Sequence, residues 1–123
     1  MIALNLTEHQ EQCNLVGWLD MMRIVFFAVP NGGERDPREA VKLRREGVRA
    51  GAPDLVLVHC APINGRPTMI EMKKKKRATY SEEQLVMHAV ARAEKWNVIA
   101  PPKGHSAQWV IARLRELGYG RKL

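Results

Sequence analysis

At 123 residues the chain is long enough to bury one core and too short for two, so a single domain spanning 1–123 is expected. Hydrophobic residues at 46% and charged residues at 27% fit a soluble globular protein, and no apolar run approaches the roughly 20 residues that cross a bilayer. Twenty Lys and Arg against thirteen Asp and Glu give a net charge of +7, which points to a polyanionic partner, nucleic acid before an anionic membrane.

Cys13 and Cys60 lie far apart with no Cys-x-x-Cys spacing, which excludes a zinc ribbon and a disulfide framework and fits a reducing compartment. The N-terminus has no basic stretch followed by an apolar one, so no signal peptide is expected and the expected location is cytoplasmic.

Taken in order, Thr7 and Gln10 have the spacing of a capping box that opens a helix from about Glu8 to Met22. Leu15, Trp18, Leu19 and Met22 give it an apolar face. Extended towards the N-terminus, that face meets Glu8, Glu11 and Gln12, so periodicity turns one or both glutamates inward without choosing between them. Ile24–Val29 reads as a strand by its β-branched and aromatic content, stopped by the turn Pro30-Asn31-Gly32-Gly33. Asp36 is expected to cap a second helix, with Pro37 at its first position and Glu39 completing a second capping box; Arg38, Lys42, Arg44, Arg45 and Arg49 crowd it, so it is solvated and basic, with Gly47 as its stop.

Leu55–Val58 is uniformly apolar, as for a strand covered on both faces. Cys60–Pro67 is a loop with two prolines and an Asn64-Gly65 turn signal, and Thr68–Lys73 returns as a strand, too close in sequence for anything but antiparallel pairing. A hairpin centred near Pro62–Ile63 sets Asp54 opposite Glu71, whereas one centred on Asn64-Gly65 sets Val58 there. The basic run Lys73–Arg77 follows. Ser81 and Gln84 open a third helix whose apolar positions are mixed, with Leu85, His88, Ala89 and Arg92 on one stripe and Val86, Val90 and Ala93 beside it. Val98–Ala100 forms a short strand ended by Pro101-Pro102, and Ser106 opens a last helix closed by Gly118. The order αβαββαβα predicts an α/β domain with a central mixed sheet of about four strands flanked by helices.

Chemistry concentrates at Asp54, Glu71 and Lys73. Glu71 and Lys73 are two apart on a strand and share a face. Two carboxylates from adjacent strands suit a hard divalent cation that keeps waters and phosphate oxygens in its shell, and a lysine beside them can orient water or stabilise developing charge. An isolated Glu-x-Lys is usually a surface pair on a strand; the Pro-Asp pair upstream and the basic surface move the reading to a site. Gln84 has two compatible roles, capping its own helix and serving the site. His9, His59, His88 and His105 are isolated and none is taken as a ligand; Trp18, Trp96 and Trp109 are assigned to the core.

The set Ala52-Pro53-Asp54…Glu71-Met72-Lys73 resembles the PD-(D/E)XK nuclease signature. With Glu8 and Gln12 upstream, Pro30-Asn31-Gly32-Gly33, Gly47-x-x-x-Gly51-x-Pro53-Asp54-Leu55 and Ser81-x-x-Gln84, nearly the whole chain is similar to the stand-alone VRR-NUC (virus-type replication-repair nuclease) domains of phages and bacteria, which are related to Holliday-junction resolvases. The resemblance implies a restriction-endonuclease-like fold. It implies that Glu8, Asp54 and Glu71, with the Met72 carbonyl, bind Mg²⁺ or Mn²⁺, that Lys73 is the catalytic lysine and that Gln84 is an accessory site residue. It further implies phosphodiester cleavage by a homodimer acting on branched or four-way DNA. The chain departs from the family pattern after the Glu-x-Lys, where Lys74-Lys75-Lys76-Arg77-Ala78-Thr79 replaces a glycine-containing turn. Beside such a core Lys74, Lys75, Lys76 and Arg77 are expected to contact backbone phosphates, as are Arg49, Asn31 and Gly32. The competing expectations are a non-catalytic nucleic-acid-binding module and a phosphoesterase acting on small nucleotides.

Overall fold

The computed structural model describes residues 6–30, 36–73, 79–101 and 106–120. Thr7 and Gln10 form the reciprocal capping box expected of them, and the first helix, α1, runs Glu8–Met21. Leu15, Trp18 and Leu19 are buried on its inner face together with Glu11. The strand after it, β1, is Phe26–Ala28, shorter than the apolar run because only these residues pair with a neighbour. Asp36 starts α2 (Pro37–Arg45) by accepting the Arg38 N–H at 2.8 Å, a shorter-range cap than the reciprocal box expected with Glu39. Gly47, at φ +107°, takes the left-handed backbone that ends the helix.

Strands β2 (Leu55–Leu57) and β3 (Thr68–Ile70) pair antiparallel with Leu55 opposite Ile70 and Leu57 opposite Thr68, so the next positions outward are Asp54 and Glu71. The Asp54 N–H donates to the Ile70 carbonyl at 3.0 Å. The strand expected over Thr68–Lys73 therefore stops at Ile70: beyond it the Met72 N–H turns to the Asp54 carboxylate at 2.7 Å, while the Glu71 N–H still donates to Ile99. Helix α3 (Glu82–Ala93) crosses over to β4 (Asn97–Ile99), parallel to β3, and α4 (Ala107–Glu116) closes the chain. The sheet order is β1-β2-β3-β4, mixed as expected.

Register assigns the two faces of the sheet. Leu55, Leu57, Thr68, Ile70 and Ile99 share one face, against which Leu15 and Leu19 of α1 and Val110 and Leu114 of α4 complete the core. A buried polar chain crosses this layer: the Thr68 hydroxyl meets the Tyr119 hydroxyl at 2.9 Å, and Tyr119 donates to the His59 carbonyl at 2.7 Å. The opposite face is less covered than a strand buried on both sides requires: Val56 is half-buried, and Val58 and Phe27 are more than half exposed.

Helix α3 differs most from its sequence pattern. Leu85, Val86 and Val90 are 55%, 57% and 56% exposed, and the side chains it buries are His88 and Ala91. Packing beside β4 leaves room for a small residue and a polar one rather than for the apolar stripe. Of the tryptophans, Trp18 is in the core, whereas Trp96 and Trp109 are half-buried. Among the described residues no helix is long and apolar enough to cross a membrane.

Candidate active site

The end of the β2–β3 hairpin opens into a cavity of about 600 Å³. Asp54, Glu71 and Lys73 line it with Glu8 from α1 and Gln84 from α3. Glu8 and Glu11 part company here. Glu8 faces the cavity, half-buried, while Glu11 turns to the N-terminus of α4 and accepts the Ala107 N–H at 2.5 Å. Both glutamates point inward, as periodicity requires, and the packing of α1 on α4 separates them.

Asp54 is fixed by the Met72 N–H described above, which takes the carboxylate where a ladder carbonyl would otherwise be. Glu71 is 2% exposed. Its Oε1 accepts a 2.6 Å bond from Gln84 Nε2, while Gln84 Oε1 accepts the Ser81 N–H at 2.8 Å. One amide thus both caps α3 and holds the carboxyl. Burial first, then a hydrogen bond and charge repulsion from Asp54, push the Glu71 carboxyl up to about 8; Gln84 and Lys73 oppose this only in part. With no cation present, the Asp54–Glu71 pair therefore favours retaining a proton, with the buried Glu71 carboxyl as its holder.

Tyr80 and His88 stand behind Glu71 rather than in the cavity lining, and neither carries a signal in isolation. Gln84 and His88 are four apart on α3, so helical spacing from Gln84 sets His88 on the same face. His88 Nε2 stands 3.9 Å from Glu71 Oε1, too far for a hydrogen bond, and makes none elsewhere. Burial lowers its pKa, and Arg92 adds to this, so it stays neutral beside Glu71. The Tyr80 ring meets His88 edge-on at 5.2 Å, its hydroxyl donates to the Pro101 carbonyl, and Lys73 Nζ lies 5.7 Å from its centroid. Burial and the Glu71 charge push the Tyr80 phenol up to about 12, so it remains a donor.

Gly51 sets how closely α3 approaches the acids. At φ +87°, a Cβ built there would meet the Glu83 carbonyl carbon and oxygen at 2.5 Å and the Gln84 nitrogen at 2.9 Å. Only glycine lets the first turn of α3, and with it Gln84, reach Glu71. Arg44 and Arg49 line the far wall; Arg49 Nη1 also donates to the Arg44 carbonyl at 2.6 Å and the Val48 carbonyl at 3.2 Å. Asn31, Gly32, Lys74, Lys75, Lys76 and Arg77 lie outside the described residues.

The acids here offer oxygen donors: the Asp54 and Glu71 carboxyls, with Met72 in the same wall. That chemistry fits a hard cation such as Mg²⁺ or Mn²⁺, which needs few protein ligands and retains water. Among the described residues no three His, Cys, Asp or Glu side chains stand close enough together to hold a metal, so Glu8 is in the wall and not in the immediate donor group.

No protein-family model and no curated protein matches the chain. Solved structures do. A chain described as a "VRR_NUC domain protein" superposes with a TM-score of 0.70 at 21% identity, covering 94% of this chain and 93% of that one. A second, described as a "VRR_NUC domain", gives 0.57 at 20% identity, covering 85% and 94%. The domain therefore has the restriction-endonuclease-like α/β fold of stand-alone VRR-NUC domains, as the motif resemblance implied.

Proposed function

We propose that the protein is a metal-dependent, structure-selective endonuclease that hydrolyses phosphodiester bonds in DNA, acting as a homodimer on branched or four-way substrates. The observation that carries this reading is the paired Asp54 and Glu71 carboxyls in an open cavity, one of them buried and driven to hold a proton. A structural carboxylate is normally matched to donors; this one is set against another acid. The fold, shared with chains named for a nuclease domain, supports the same class.

Asp54, Glu71 and the Met72 carbonyl would hold the Mg²⁺ or Mn²⁺, with Glu8 in the same cavity wall beyond them. When bound, such an ion supplies neutralisation of phosphate charge and a more acidic water. The protein's own groups do the rest. The Met72 N–H fixes the Asp54 carboxylate, and Gln84 fixes that of Glu71. Lys73 presents a cation to the charge that develops on the phosphorane-like transition state. His88 and the Tyr80 ring pack behind Glu71 without adding charge there. A homodimer follows from the substrate: a two-fold symmetric junction requires two sites related by a two-fold axis.

Cleavage of linear, flapped and four-way DNA with Mg²⁺, Mn²⁺ or EDTA tests this. Asp54→Ala, Glu71→Ala and Lys73→Ala should each abolish cleavage while junction binding survives; wild-type rates in these variants would end the proposal. The second reading is a non-catalytic DNA-binding module, favoured by the absence of a three-residue metal group among the described side chains. Calorimetry separates the two, since a module would bind neither Mg²⁺ nor Mn²⁺.

A further inference from the structure

Helix α2 is anomalous. None of its residues is buried, and Val41 in its middle is 61% exposed. A nine-residue helix of that composition has little intrinsic stability, so packing normally supplies the reason to keep it. Its two faces suggest another reason. Ala40, Leu43 and Arg44 face the cavity that holds Asp54 and Glu71. On the outer side Arg38, Lys42 and Arg45 follow one another at i, i+4 and i+7, around a shallow concavity of about 480 Å³. Among the described residues no carboxylate pairs with these three. Arg49, by contrast, is engaged by the carbonyls at the end of α2 and holds that end of the helix.

We propose that α2 is the backbone-gripping element for duplex DNA, with Arg38, Lys42 and Arg45 contacting successive phosphates on one side of the scissile position and Arg44 steering the strand into the cavity. The assignment rests on the nuclease reading for what lies in the cavity, but not for the grip itself. Seven residues of helix rise span about 10 Å, the axial length of about three phosphates on one strand. Charge decides the occupant: the concavity is lined by three cations against one acid, Glu46, and by Val41 as its one apolar side chain, too little for an anionic membrane, which requires a substantial apolar face. Being spent on phosphates, the contacts confer affinity and salt dependence rather than sequence choice.

Fluorescence anisotropy of labelled linear duplex and four-way DNA, in EDTA so that nothing is cut, tests the grip. The triple variant Arg38→Gln/Lys42→Gln/Arg45→Gln should lose at least tenfold in affinity at low salt. Its log–log salt slope should become shallower by roughly two to three, at about 0.9 per lost contact. The charge-matched control Arg23→Gln/Arg66→Gln/Lys95→Gln, at the end of the sheet away from Asp54 and Glu71, should keep most of the slope. Equal losses in both triples would reduce the effect to net charge and overturn the assignment, as would an unchanged α2 variant or a wild type that binds no DNA. Binding to vesicles of phosphatidylcholine and phosphatidylserine (4:1) that the α2 variant alone loses, with DNA binding intact, would also overturn it. If the wild type fails to cut DNA with Mg²⁺ while the α2 variant still loses DNA, the grip stands and the nuclease reading falls.

Discussion

Two acids of nearly equal burial occupy opposite ends of this domain's logic. Glu11 is 4% exposed and Glu71 is 2% exposed. Glu11 meets the first N–H of α4, at a helix whose own N-cap, Ser106, makes no side-chain cap bond. It therefore serves as that helix's cap from a distance, an anion where the backbone presents positive charge. Glu71 meets a second carboxylate, and only Gln84 and Lys73 temper the conflict. Burial of a carboxylate is thus no mark of function; what surrounds it is. The first arrangement holds two helices together, and the second stores a proton that a cation can replace.

The sharpest way to break the contrast is to make both acids neutral. Glu71→Gln should reduce cleavage at least about a thousandfold while leaving metal-free stability unchanged or higher, because the amide resembles the protonated state already present. Cleavage rates and urea unfolding in EDTA read both effects; a stability loss larger than that of a Glu11 variant would collapse the distinction. Next in size is a pH effect. The folded-state pKa of Glu71 lies near 8, above its ordinary 4.5, so the folded protein binds the proton more tightly. That contribution is complete below about pH 4.5 and is lost as pH rises through 8, a fall of a few kcal/mol in metal-free stability. Glu71→Gln should remove this slope, and saturating Mg²⁺ should flatten it; a stability that rises with pH over this window in EDTA would contradict the assignment.

Glu11→Ala should cost about 2–3 kcal/mol by leaving the Ala107 N–H buried without its charged acceptor, with cleavage per folded molecule unaltered. Gly51→Ala should cost about 2–4 kcal/mol, because the positive φ and a Cβ pressed on the Glu83 backbone both oppose it, and its effect on rate is the smallest expected, a roughly tenfold slower cut as Gln84 moves away from Glu71. In a Gln84→Ala background the rate effect of Gly51→Ala should vanish. Full additivity would mean that Gly51 acts elsewhere.

Which parts of this were legible in the sequence follows from the range of the forces involved. Caps are local: those of Thr7 and Ser81 form the reciprocal boxes their spacing predicts, and Asp36 caps its helix through the Arg38 N–H without the box. The hairpin register was not local. Asn64-Gly65 does make a tight turn, with Gly65 at φ +70° and its N–H on the Ala61 carbonyl, yet the ladder keeps the register centred on Pro62–Ile63. Turn chemistry placed the bend, and burial of Leu55 and Leu57 against α1 and α4 placed the strands. The choice between Glu8 and Glu11 required knowing where α4 begins, nearly a hundred residues on. The inner face of α3 was hidden for a similar reason: Gln84 and His88 face the acids because the crossover from β3 to β4 sets the helix there, against its own apolar stripe.

The mixed sheet also has a consequence for the order of assembly. The hairpin of β2 and β3 closes a short loop, whereas the parallel pairing of β3 with β4 needs the whole crossover through α3. Local closure is faster than the non-local kind. Asp54 and Glu71 should therefore come together early, in a wet hairpin where two carboxylates repel little, and dry out only when α3 docks. Mutations in the hairpin strands should slow folding, whereas those at the α3 contact should mainly speed unfolding.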